Sequence, residues 1–365
     1  MITMKEKILC PKCSSKYITK KGLRKNKLQT IQQYKCKDCN KIFILQSLKS
    51  KTYPASIILN SLSLYNLGYS QSQVQKLISQ KYKVKIPQKT INNWVNEYKP
   101  LCTYARLRKK NQDPDEIIQS HTFMHNNLPY KFQIHIPKLN LLFQDTKFNQ
   151  HSKFLPVRDY LNKIPTSQFP HRIFKPQHNL ENHSERASQI NFQHLKITAL
   201  EKQNLANKLA KLALNLAKTN KERHQAIQDF MLTNDSTTIA TEVPIYLTKD
   251  DLLYFLSKGF SINPQDYSTP VTGHIDILQI RNNLIHILDY KPEAKKQKPI
   301  GQLTIYALAL ASKTKLALKD FKCAWFDENN YFEFFPLHVV YKKEFKSISK
   351  NYRKFIKESN YLKFR

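Results

Sequence analysis

Apolar residues recur at helical spacing in two parts of the chain and with a strand's alternation in a third. From Pro54 to Leu67 they include Ile57, Ile58, Leu62 and Tyr65, and Gly68 is placed to end that helix. Ser70 can cap a second helix whose buried face is Val74, Leu77 and Ile78. A third helix starts near Pro87 and buries Ile91, Trp94, Val95 and Tyr98, spaced i, i+3, i+4 and i+7. Leu205, Leu209, Leu212 and Leu216 form a later stripe, too short for a coiled coil and better suited to core packing. From 221 to 342 the pattern reads helix, strand, hairpin, helix and strand, and no internal repeat is present.

The hairpin carries the densest information. Two Leu- and Ile-rich runs between Gly273 and Lys291 flank Arg281-Asn282-Asn283, and Asn tolerates the positive φ of a two-residue turn. With Asn282 and Asn283 as the loop, paired residue numbers sum to 565. Asp276 then falls opposite Asp289 and His274 opposite Lys291, with Asp289 and Lys291 sharing a face with Asp276 while Tyr290 points away. Two carboxylates opposed on an apolar sheet repel unless something neutralises them. A divalent cation with oxygen ligands, such as Mg²⁺, would do so, and it could polarise a phosphoryl oxygen while Lys291 orients water or steadies developing charge. The ordinary alternative is a solvated sheet end whose Asp–Lys salt bridge is worth under ~1 kcal/mol. The apolar neighbours argue for a covered sheet instead, where carboxylates need partners.

Charge extends the picture to partners. Lys and Arg number 60 against 27 Asp and Glu, a net charge of +33. An A/T-rich coding sequence explains part of the lysine excess but not the shortage of acids, so a polyanion is the expected partner. No run of ~20 apolar residues is present, so no membrane partner is expected. The N-terminus has charged residues and a Cys pair where a signal peptide has an apolar core, so an intracellular, nucleoid-associated location is expected. Four of the six Cys fall into Cys10-Pro-Lys-Cys13 and Cys36-Lys-Asp-Cys39. Each pair puts two thiolates on a tight knuckle, and four sulfurs close a tetrahedron around a structural zinc with no open position for water. Gly22 is available for a turn between the pairs, Tyr34 and Phe43 could cover the site, and Lys12, Lys16, Lys20, Lys21, Arg24, Lys25 and Lys27 would decorate its surface. On the third helix Gln88, Lys89, Asn92 and Asn93 are residue types able to read base edges.

Two resemblances follow from these motifs. Cys10–Cys13, Tyr34–Cys39, Phe43, Gly68–Ser70 and Thr90–Trp94 together resemble the N-terminal DNA-binding region of insertion-sequence transposases over about the first hundred residues. Gly273-His-Ile-Asp276, Leu288-Asp-Tyr-Lys291 and Gln302-Leu-Thr-Ile-Tyr306 resemble the RecB-like branch of the PD-(D/E)xK nuclease superfamily. That second resemblance implies that Asp276 and Asp289 bind metal, that Lys291 assists hydrolysis, and that Gln302 and Tyr306 lie on the next helix beside the site. It also implies an upstream acid, assigned to Glu242, and a helix-borne ligand for which His183, Glu185 and His194 are the candidates. A cysteine-ligated iron–sulfur cluster of the kind some relatives hold is excluded, because Cys323 is alone in the 185–342 stretch.

The expectation is a multidomain α+β protein: a small zinc ribbon (1–47), a three-helix helix-turn-helix (53–100), a connector or unassigned small domain (101–184), an α/β restriction-endonuclease-like nuclease domain with a central mixed sheet (185–342), and a basic tail (343–365). Its expected function is that of a mobile-element or defence endonuclease using structural Zn and catalytic Mg or Mn on Asp276, Asp289 and Glu242. Cutting both strands with one site per chain would favour a homodimer. One rival is a transposase with an RNase-H-like core, for which 101–180 offers Asp113, Asp115, Glu116, Asp145 and Asp159. The other is a DNA-binding regulator with a decayed nuclease fold.

Overall fold

A computed structural model describes residues 8–25, 28, 30–44, 51–99, 116–125, 128–144, 152–174, 185–190, 197–217, 219–262 and 269–341. His183, His194, Lys27, Asp113, Asp115, Asp145 and the 343–365 tail lie outside these residues. The architecture is mixed α+β, with a small antiparallel sheet, a larger mixed sheet and ten α-helices among the described residues.

The small sheet has the order β1 (Ile18–Lys25), β2 (Thr30–Cys36), β3 (Ile42–Ile44). Gly22 is not at its turn. It sits inside β1 at φ 124°, where the register with β2 slips between Lys20 and Gly22, so its missing Cβ serves a bulge.

Three helices follow: α1 (Ala55–Asn66), α2 (Gln71–Tyr82) and α3 (Gln88–Tyr98). Gly68 at φ 96° lies just past α1, and Ser70 and Gln73 form a reciprocal capping box at the start of α2. Ile57, Ile58, Leu62, Val74, Ile78, Ile91 and Trp94 are buried, whereas Leu77, expected on the buried face, is 37% exposed.

The remaining elements are β4 (Ile118–His125), β5 (Leu128–His135), α4 (Ile136–Gln144), α5 (Leu155–Lys163), β6 (Glu185–Arg186), β7 (Leu200–Lys202), α6 (Leu205–Ala213), α7 (Arg223–Asn234), β8 (Thr238–Leu247), α8 (Lys249–Ser257), β9 (Val271–Arg281), β10 (Leu284–Tyr290), α9 (Ile300–Thr314), β11 (Phe321–Phe326), β12 (Tyr331–Phe334) and α10 (Leu337–Val340). The large sheet has the order β4-β5-β8-β9-β10-β11-β12-β7, with β6 alongside the start of β9. Neighbours are antiparallel except β10–β11 and β6–β9. The β10-to-β11 connection carries α9, as a parallel pair requires a crossover.

Residues 118–144 correct the reading of 101–184 as a connector or separate small domain. β4 and β5 are strands of the large sheet, joined to it by Gln133 and Ile134 of β5 against Thr241 and Ala240 of β8. Their polar-alternating sequence hides this, because β4 is an edge strand with one wet face. Lys138 of α4, 3% exposed, donates to the carbonyls of Leu232, Asp235 and Thr238 and so closes the C-terminal end of α7.

One core includes Val243, Ile275, Leu278, Ile287, Leu303 and Cys323. A second joins Leu209, Ile227, Met231, Ile277, Leu288 and Tyr290 to the buried side chains of α1, α2 and α3. The Leu205–Leu216 stripe belongs to this second core.

Candidate metal centres

The four cysteines converge. Cys10, Cys13, Cys36 and Cys39 have their sulfurs within 4.8 Å of one another, with Cys10 to Cys39 at 3.4 Å and Cys13 to Cys36 at 3.6 Å. The Lys12 amide donates to Cys10 Sγ at 3.4 Å, and burial opposing such amide donors leaves the Cys10 thiol lowered to about 6. The convergence of the four sulfurs makes this cluster compatible with a zinc ribbon. Tyr34 and Phe43 stack beside it with ring centroids 5.9 Å apart.

The second cluster grows from the hairpin. Asn282 and Asn283 both have positive φ, 50° and 58°, and pairing runs from Leu284–Arg281 to Leu288–Ile277 in the expected register. The ladder stops there, one pair short of Asp289 and Asp276. The expected pairing of His274 with Lys291 does not form. Lys291 instead sends its N–H to the Phe326 carbonyl at 2.9 Å, following β11, and His274 pairs with Pro244 on β8. The regular β9–β10 pairing thus ends at the two acids, whose carboxylates nevertheless lie close together.

Asp276, Asp289 and His224 each offer a ligand atom within 4.8 Å of the other two. His224 opens α7, and its Nε2 lies 2.5 Å from Asp276 Oδ2. Burial would lower its pKa, but the charge and hydrogen bond of Asp276 outweigh burial and push it up to about 9. Asp276 is held well below the carboxylate range, its burial overcome by His224. Asp289 is 2% exposed, and burial together with Asp276 pushes its pKa well up. Its Oδ2 is ion-paired with Lys291 Nζ at 2.8 Å, and neither of its two buried oxygens makes a well-formed hydrogen bond among the described residues. An N/O donor set with an orphaned buried carboxylate oxygen fits a divalent cation.

Glu242 is not one of the three gathered groups. It lies between Thr241 and Val243, which pair with Ile277 and Ile275, so it stands across β8–β9 from Asp276. Its φ of 50° is a strained value for a non-glycine residue inside a strand. Gln228 Nε2 donates to its Oε1 at 2.6 Å, and burial followed by Asp276 raises its pKa to about 7.

On α9, Gln302 Nε2 donates to Tyr306 Oη at 2.8 Å, so the two share a helical face. Burial raises the Tyr306 pKa far up, and Asp289, Asp276 and Glu242 add to the rise, which places the phenol in the field of the acids. Gly273 lies inside β9, and the Tyr306 ring occupies the space that a Cβ there would need.

The helix-borne group missed from the sequence is His224. Glu185, a candidate for that place, is an exposed residue of β6 paired with Val271. The only sequence signal for His224 is its position in the first turn of the helix before β8. On α3, Gln88, Lys89 and Asn93 are exposed, whereas Asn92 is half-buried and accepts from Gln71 Nε2 at 3.0 Å. The described acids an RNase-H-like core would draw on, Glu116 and Asp159, are exposed and are not gathered. Among the described residues no helix is long and apolar enough to cross a membrane. No family model, curated protein or solved structure matches the chain.

Proposed function

We propose that the protein is a divalent-metal-dependent DNA endonuclease, held on its target by the cysteine-rich module and the three helices α1–α3. The observation that carries this reading is the convergence of His224, Asp276 and Asp289 with Lys291 ion-paired to Asp289. It agrees with the resemblance of the Asp276, Asp289–Lys291 and Gln302–Tyr306 motifs to RecB-like PD-(D/E)xK nucleases. His224, Asp276 and Asp289 would hold the cation, which supplies a Lewis acid for a phosphoryl oxygen and acidifies bound water. Lys291 keeps its positive charge beside Asp289, where it orients the attacking water and balances charge developing on phosphate. Glu242, poised at about 7 and held by Gln228, accepts the water's proton. Gln302 and Tyr306 fix the wall of the site through their mutual hydrogen bond.

The test is cleavage of plasmid and single-stranded DNA with Mg²⁺ or Mn²⁺. One imidazole among carboxylates suits Mn²⁺ better than Mg²⁺, so the faster reaction is expected with Mn²⁺. Lys291→Ala should lower kcat by about 10²–10³ with DNA affinity unchanged. Equal cutting by wild type and Lys291→Ala would refute the assignment.

A further inference from the structure

Beside the acidic cluster lies a cation that nothing in the described structure neutralises. Arg186 sits on β6, paired with Thr272 of β9, and its Nη2 donates to the Tyr130 hydroxyl at 2.5 Å. No carboxylate among the described residues pairs with it, although Asp276 and Glu242 are near enough to act on the same tyrosine. What separates the charge from the acids is a stack of rings. Tyr130 lies on His274 with centroids 3.8 Å apart and planes 10° from parallel. His274 Nδ1 is 3.3 Å from His125 Nδ1, and His125 Nε2 is 2.9 Å from Thr272 Oγ1.

An arginine set apart from the acids by these stacked rings retains most of its five donors for another anion. Thr272, the strand partner of Arg186, and Asp276 are four strand positions, about 13 Å, apart on β9. That distance is of the order of two steps between phosphates of one nucleic-acid strand. Resting on the nuclease reading above, we infer that Arg186, positioned by Tyr130, binds a backbone phosphate of the cleaved strand within two phosphates of the one at the metal cluster. The contact is bidentate and sequence-independent.

The experiment replaces single phosphates around a mapped cleavage position by uncharged methylphosphonates, in wild type, Arg186→Ala and Arg186→Lys. Wild type should lose about tenfold or more in kcat/KM when one particular flanking phosphate is neutralised. Arg186→Ala should be slower on unmodified DNA yet indifferent to that replacement, and Arg186→Lys should recover part of the sensitivity. A merely structural role for Arg186 would slow every substrate alike. An unchanged pattern of sensitivity in Arg186→Ala therefore overturns the inference. A second readout does not need turnover. With Ca²⁺ and a single-stranded oligonucleotide, the Arg186 Nε–H resonance, identified by its loss in Arg186→Lys, should shift on titration. If wild type does not cut, the nuclease reading fails and this resonance still decides: a shift keeps Arg186 as a phosphate ligand, and an unmoved signal in a saturated complex removes it.

Discussion

Adding one methyl group at Gly273 tests whether α9 is seated on β9 as described. A Cβ there would lie 2.4 Å from Tyr306 Cε1, 3.1 Å from Cζ and 3.2 Å from Oη. Ordinary contact begins at 3.4 Å, so the ring must retreat by about 1 Å from the closest atom. Tyr306 is 6% exposed and sits on a helix whose neighbours Leu303, Ala307 and Leu310 are fully buried, so the retreat is resisted by packed atoms. Overpacking of this size costs about 1–3 kcal/mol. Without the ring the sign reverses, because Gly inside a strand is about 0.5–1 kcal/mol worse than Ala. Gly273→Ala should therefore destabilise the wild-type background and be neutral or stabilising in Tyr306→Ala. The two values should differ by about 1.5–4 kcal/mol in a double-mutant cycle measured by urea unfolding of the metal-free protein. A shift of 1 Å would also part Tyr306 Oη from Gln302, so cleavage should fall alongside stability. Gly273→Ala as stable as wild type with Tyr306 in place would refute the contact and with it the placement of Gln302 and Tyr306 beside the acids.

Three further outcomes are expected. Glu242 should contribute stability to the metal-free protein that is lost as pH rises from about 4.5 to 7, since the native state holds the Glu242 proton that the unfolded chain has released. His224 should contribute stability that is lost between about 6.5 and 9, since native His224 keeps a proton there too; chemical denaturation across pH, read as the difference between wild type and Glu242→Gln or His224→Ala, should show each window in turn. Cys36→Ser should release one equivalent of zinc to a colorimetric chelator and expose residues 8–44 to proteolysis, while the large sheet keeps its unfolding midpoint. Asn93→Ala should cost about 1–3 kcal/mol against the preferred DNA site with no change in folding, whereas Asn92→Ala should cost stability through Gln71; binding isotherms and melts separate the two.

Which parts of this arrangement can be seen in the sequence follows from range. The helices α1–α3 are legible because their signals are local: Ile91 and Trp94 one turn apart, Ser70 three residues before Gln73, Gly68 past the end of a periodic run. The hairpin is legible for the same reason, since two asparagines set its register and the register sets the acids. His224 is not, because it reaches Asp276 across 52 residues and nothing local marks one histidine above another. The β4–β5 pair is obscured because half its positions face water and its partner β8 lies about a hundred residues on. The alternation rule extends the pairing to His274 and Lys291, but the β9–β10 ladder ends before the two acids and Lys291 follows β11.

The partition into separate domains is also too coarse, for a reason carried by two buried amides. Asn66, the last residue of α1, donates to Asn234 Oδ1 at 2.8 Å, and Asn234 donates back to Ser63 Oγ at 3.0 Å and to its own helix at Phe230. Asn66 and Asn234 are 4% and 0% exposed, and each amide buried without the other would cost about 1–3 kcal/mol. Such a pair tolerates one docking arrangement, because sliding α1 along α7 would strand both. α7 ends at this bridge and carries His224 in its first turn, ten residues and about 15 Å away. Lys138 closes the same end of the helix, and Gln228 ties its middle to Glu242. On the proposed reading, the helices that hold DNA and the histidine that holds metal are therefore two ends of one rigid element. The position of the cut relative to the bound site is then set by the fold itself and not by a tether.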